Sequence, residues 1–103
     1  MKKVKLFSHK IDVILENNYD NPDDLIVALV KYFRDGGKDC DFLGFNNLEE
    51  ALILLNNEKY VMKYKDSPFL KASVLELRKT DLEVDPNESK KVVKNILEKI
   101  NMD

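Results

Sequence analysis

Residues 21–37 constrain the fold most, because a start signal, an amphipathic stripe and a stop signal follow one another within them. Asn21 is a good N-cap, Pro22 suits the first helical position, and Asp23 and Asp24 sit at the positive end of the helix dipole. Leu25, Ile26, Leu29, Val30 and Phe33 recur at three- and four-residue spacing, and Gly36-Gly37 supplies a left-handed stop. The spacing predicts one helix that ends near Asp35. Its apolar stripe must be buried, so the rest of the chain has to provide a matching surface.

Val4 and Leu6 alternate with Lys3, Lys5 and Phe7, which predicts a short first strand. Residues 8–18 carry two patterns: Ile11, Ile14 and Leu15 share a helical face, whereas Ile11, Val13 and Leu15 share a strand face. We read a short helix there. Asn47 and Glu50 resemble a capping box, and Leu48, Ala51, Leu52 and Leu55 continue a helical stripe that Asn56-Asn57 closes. Tyr60, Met62 and Tyr64 alternate with Val61, Lys63 and Lys65. After a turn at Asp66-Ser67-Pro68, residues 70–79 are rich in Val and Leu and return as the second strand of a hairpin. Asp85, Pro86 and Glu88 announce a last helix with Val92, Val93, Ile96, Leu97 and Ile100 on its apolar side. The expected architecture is α+β, with a small, mostly antiparallel sheet (the N-terminal strand plus the central hairpin) packed against three or four helices.

With 103 residues, 44% of them hydrophobic, the chain can fill one core but not two, so a single domain over 1–103 is expected. The lone Cys40 allows no internal disulfide. No secretory pattern follows the basic start, and no apolar run approaches the roughly 18 residues of a membrane span. These features point to a cytoplasmic protein without a membrane partner.

The net charge of -2 conceals a segregation. Between Asp12 and Glu50 ten acidic side chains face only three basic ones, while between Lys59 and Lys79 six basic side chains face two acidic ones. Charge laid out in this way steers partners without identifying them.

Most catalytic and metal chemistries lack their residues. One His and one Cys cannot build a structural zinc site, which takes about four such ligands. Cys40 lies between Asp39 and Asp41, whose charges disfavour a thiolate. Ser8, His9 and Asp12 have the residue types of a hydrolase triad, but neighbours on a strand point to opposite faces. Leu6-Phe7-Ser8-His9 resembles the opening strand of DHH-type phosphoesterases, yet no Asp-His-His triplet follows, and no role is carried over from that family. Gly36-Gly37-Lys38 is followed by Asp39 where a phosphate loop has Ser or Thr. Between Asp39 and Glu50 a partial calcium-loop pattern occurs, with Asp39, Asp41, Gly44 and Glu50 at matching positions, but Leu43 and Asn46 depart from it. No cofactor or resident metal is expected.

What remains is binding. Phe42, Leu43 and Phe45 form an apolar knot inside the acidic region, read as a loop between two helices that serves either the core or a hot spot. The first reading is a small non-enzymatic domain of the inhibitor or immunity type. It would dock Asp20, Asp23, Asp24, Asp39, Asp41, Phe42, Phe45, Glu49 and Glu50 onto a basic, nucleic-acid-handling protein partner. The alternatives are a nucleic-acid binder that uses the basic hairpin of residues 59–79 with the last helix, and an enzyme that relies on carboxylates alone. A homodimer through the hairpin edge is compatible with all three.

Overall fold

The computed structural model describes residues 3–6, 9–15, 21–67, 72–87 and 90–102. Along the chain run β1 (Lys3–Leu6), β2 (Lys10–Ile14), α1 (Pro22–Asp35), β3 (Cys40–Phe45), β4 (Ala51–Leu55), β5 (Glu58–Ser67), β6 (Ala72–Lys79) and α2 (Lys90–Ile100). The strands form one antiparallel sheet in the spatial order β1-β2-β6-β5-β4-β3.

The hairpin of β5 and β6 forms as the alternation predicts. It pairs from Tyr60 opposite Lys79 to Ser67 opposite Ala72. Successive side chains on a strand point to opposite faces, so Tyr60, Met62, Leu75 and Leu77 share one face and Val61, Lys63, Glu76 and Arg78 the other. β2 extends both sets, with Ile11 and Val13 opposite Leu77 and Leu75, and Asp12 opposite Glu76. The first face carries the core. Leu25, Ile26, Leu29, Val30 and Phe33 of α1 and Ile96 and Ile100 of α2 join the sheet's Ile11, Val13, Phe42, Ile53, Leu75 and Leu77 in one buried cluster.

α1 is built as its caps require. Asn21 Oδ1 accepts the Asp23 amide at 2.9 Å, Gly37 adopts φ +81°, and the Lys38 amide returns to the Phe33 carbonyl at 3.0 Å.

Two expected helices are strands, and among the described residues there are two helices rather than three or four. The helix expected within residues 8–18 is β2, because the alternation of Ile11, Val13 and Leu15 lets the segment complete the open edge of β6. The helix expected from Asn47 to Leu55 is a turn followed by β4. Ala51, Leu52, Ile53 and Leu55 are all buried, and a run buried on both sides suits an interior strand better than a one-sided helix. Asn56 and Asn57 are not a helix stop. With φ of +50° and +69° they make the tight turn from β4 into β5, the type that matches strand twist. The Phe42 to Phe45 knot is likewise strand, within β3, rather than an interhelical loop. The hairpin lies in the middle of the sheet with both strands paired on their outer sides over part of their length, and the edge strands are β1 and β3.

Residues 80–87 act as a strap across the face turned away from the helices. The Thr80 amide bonds to the Lys59 carbonyl at 3.1 Å, Lys59 pairs with Glu83 at 3.1 Å, and the Asp85 amide reaches the Phe45 carbonyl at 2.9 Å. Leu52 and Val61, which belong to that face, are buried. The strap approaches β3 at Gly44, which stands opposite Leu52 beside a bulge and adopts φ +132°. A Cβ on Gly44 would come within 3.0 Å of Val84 Cγ1. Gly44→Ala should therefore lower stability by about 1–3 kcal/mol, combining an unfavourable backbone with a displaced strap, as measured by urea denaturation.

Candidate functional site

The acidic residues of the first half of the chain do not converge. Asp12 belongs to β2, and the other described ones divide between the two ends of α1, whose 14 residues span about 21 Å. At the C-terminal end, Asp39 and Asp41 flank Cys40 beside Arg34. The Arg34 guanidinium donates to Asp41 Oδ1 at 2.6 Å and, through Nε, to the Cys40 carbonyl at 2.8 Å. Asp41 is thus already committed to a cation. Because β3 is extended through Cys40–Phe45, Asp39 and Glu50 stand at opposite ends of a strand about 20 Å long, so the partial calcium-loop pattern between them is not a loop. Among the described residues no three His, Cys, Asp or Glu side chains gather as metal ligands. Cys40 is buried, and this burial, opposed by Arg34, pushes its thiol up to about 11. His9 is exposed ahead of β2, while Ser8 and Asp20 lie outside the described residues.

The N-terminal end of α1 is richer. Asp23 and Asp24 occupy the first helical turn, and Glu49 and Glu50 belong to the turn between β3 and β4. Buried Asn46 is the frame of that turn. Its Oδ1 accepts the amides of Leu48 and Glu50, both at 2.9 Å, and its Nδ2 donates to Glu50 Oε1 at 3.2 Å. Backbone bonds from the Asn46 amide to Glu50 and from the Glu49 amide back to Asn46 close the loop, and Glu49 is held at φ +61°. A turn so tied holds Leu48 out in water at 67% exposure.

Beside this turn lies a cleft of about 550 Å³, lined mainly by Leu25, Ile26, Phe45, Met62 and Tyr64. It exists because β4 begins at Ala51 while β5 continues to Ser67, so the end of the sheet is open below the start of α1. Lys63 Nζ reaches Glu50 Oε2 at 3.7 Å across its lip. Phe45 lies edge-on to Phe42, with centroids 5.4 Å apart. Phe42 is buried in the core, whereas Phe45 is half-buried and lines the cleft. Five of the nine expected docking residues thus gather at this end: Asp23, Asp24, Phe45, Glu49 and Glu50. Leu48 and Asn46 were missed by sequence reasoning. Asn46 beside Asn47 is a turn signal, but the capping-box reading of Asn47 absorbed it.

The cations of residues 59–79 whose side chains are described are engaged. Lys59 meets Glu83, Lys63 meets Glu50, Arg78 meets Glu76, and Lys79 meets Glu58 at 2.7 Å. The hydrogen bond from Lys79 holds Glu58 below the usual carboxylate range, and burial lifts the neighbouring Tyr60 phenol. Comparison with protein families, with curated proteins and with solved structures finds no match.

Two measurements check this geometry. Asn46→Ala strands the amides it satisfies and should cost about 1–3 kcal/mol, whereas Leu48→Ala should change stability by less than about 0.5 kcal/mol. Cys40 should resist iodoacetamide at pH 8 in the folded protein and react once urea unfolds it. Its raised value also fixes a sign: the contribution of the neutral thiol to stability is present below the ordinary thiol range and is lost as pH rises toward about 11.

Proposed function

We propose that this protein is a binding domain that grips another polypeptide at the N-terminal end of α1. The observation that carries this reading is Leu48, held exposed by the buried frame of Asn46 next to an open apolar cleft. A turn whose backbone is already fixed has less freedom left for binding to remove, which favours the large side chain it presents as an anchor. The cleft offers room for a reciprocal apolar side chain. Glu49 and Glu50 in its lining, with Asp23 in the adjoining first turn of α1, favour a partner segment that carries Lys or Arg beside its apolar anchor, whereas Asp24 is paired with Lys99 at 3.6 Å. An inhibitor that occupies a phosphate-handling surface of a basic protein has this combination of features.

The test compares the intact protein with two folded variants as bait in affinity capture from lysate. Leu48→Asp with Glu49→Lys should lose the captured basic partner. Asp39→Lys with Asp41→Lys, at the other end of α1, should keep it. The reverse pattern would move the docking surface to the Arg34 end, and capture by both variants would contradict the reading.

A further inference from the structure

α2 uses only part of its circumference to hold the core. Ile96 and Ile100 are buried, Val93 is partly buried, and Lys90, Lys91, Lys94 and Leu97 are exposed. Lys99 marks the flank that meets α1, because its Nζ lies 3.6 Å from Asp24. Successive helical residues are turned by about 100°, so Lys90 and Leu97 stand on the flank roughly opposite Lys99, away from α1. A shallow groove runs along this outer flank, lined by Val93, Leu97 and Met102 with Lys90, Lys94 and Glu98. Its charge is not consumed within the molecule. Among the described residues Lys90, Lys91 and Lys94 meet no carboxylate, and Glu98 is the one acidic side chain on α2, which leaves an excess of two positive charges.

The cleft at the start of α1 is the complement of that flank. Glu49 and Asp23 meet no cation among the described residues, while Glu50 and Lys63 offset one another at the lip, which leaves an excess of two negative charges. Exposed Leu48 stands beside the apolar lining of Leu25, Ile26, Phe45 and Met62. Resting on the reading of this cleft as a grip for an apolar anchor flanked by Lys or Arg, we infer that its occupant is α2 of a second copy of this chain. Leu97 of one copy enters the cleft of the next beside Leu48, and Lys90 and Lys94 approach Glu49 and Asp23. The outer flank of α2 is turned away from α1, so a copy does not fill its own cleft. Because the two surfaces differ, the contact is heterologous and copies add head to tail.

A second copy suits α2 better than an anionic membrane does. Val92 is also exposed, but it lies about 140° round the helix from Leu97, whereas a helix lying on a bilayer inserts its apolar side chains from one side. The net charge of -2 on the whole chain adds repulsion from such a surface.

Sedimentation equilibrium of the full chain tests the contact. A small interface with few charge pairs is of the transient class, so the average mass should be that of one chain at about 10 µM, rise clearly by about 500 µM, and fall back in about 0.5 M NaCl, where surface charges are screened. Two variants, each checked for folding by circular dichroism, separate the halves. Leu48→Asp with Glu49→Lys removes the cleft side, and Lys94→Glu with Leu97→Asp removes the α2 side. Each alone should remain a single chain at the higher concentration. Mixed in equal amounts they should form a pair and nothing larger, because one supplies an intact α2 and the other an intact cleft. Lys90→Glu with Lys94→Glu, which leaves every apolar side chain in place, should weaken self-association at least about tenfold. No rise in mass for the intact chain, association that survives in either of the first two variants alone, failure of those two to pair when mixed, or sedimentation of single chains with phosphatidylserine vesicles would each overturn the assignment. A chain that stays single yet captures a basic protein through Leu48 and Glu49 would overturn the second copy as occupant and leave the cleft reading standing, whereas loss of both would remove the cleft as well.

Discussion

The register of the β5 and β6 ladder is the constraint on which the rest of the structure depends. Side chains alternate along both strands, so one register sends Leu75, Leu77, Tyr60 and Met62 under the helices and leaves Lys63, Glu76 and Arg78 on the opposite face. A slip of one residue would bring charge into the core and leucine into water, and each exchange is costly. β2 can then join β6 only with Ile11 and Val13 facing the helices, which brings Asp12 against Glu76. The apolar core and the charged face are thus two consequences of one pairing.

The parts of this fold legible in the chain are those with local signals. α1 announces itself through Asn21, Pro22 and the glycine pair, and the hairpin through the alternation around Tyr60, Met62 and Tyr64. β2 and β4 were not legible, for related reasons. Residues 8–18 fit two periods, and only the free edge of β6, a partner more than 60 residues along the chain, decides between them. In β4 the near-continuous apolar run of Ala51, Leu52, Ile53 and Leu55 fits either a helix or a strand with both sides covered. The second cover is the strap at residues 80–87, and nothing near residue 50 in the sequence signals it.

Charge was misleading in the same way, because neighbours in sequence part company in space. The acidic stretch looks like one surface until α1 separates its two ends, leaving Asp39 and Asp41 beside Arg34 and Asp23, Asp24, Glu49 and Glu50 near the cleft. The basic stretch looks like a track until Glu50, Glu58, Glu76 and Glu83 are found against its side chains. The two surfaces that result differ in kind. At the cleft, exposed leucine and carboxylates surround an apolar opening, whereas on the helix-free face Lys10 and Arg78 pair with the buried Glu76 and the strap adds Asp81, Glu83 and Asp85. No helix among the described residues is long and apolar enough to cross a membrane.

Amide hydrogen exchange followed residue by residue by NMR tests the central role of this ladder most directly. β6 is paired on both sides from Val74 to Arg78, whereas β1 is a four-residue edge. Amides of Val74 to Arg78 should exchange only through global unfolding, and those of β1 at least about tenfold faster through local opening. If the β6 amides exchanged as readily as those of β1, the ladder would not be the element that organises the sheet, and the division into a core face and a charged face would lose its foundation.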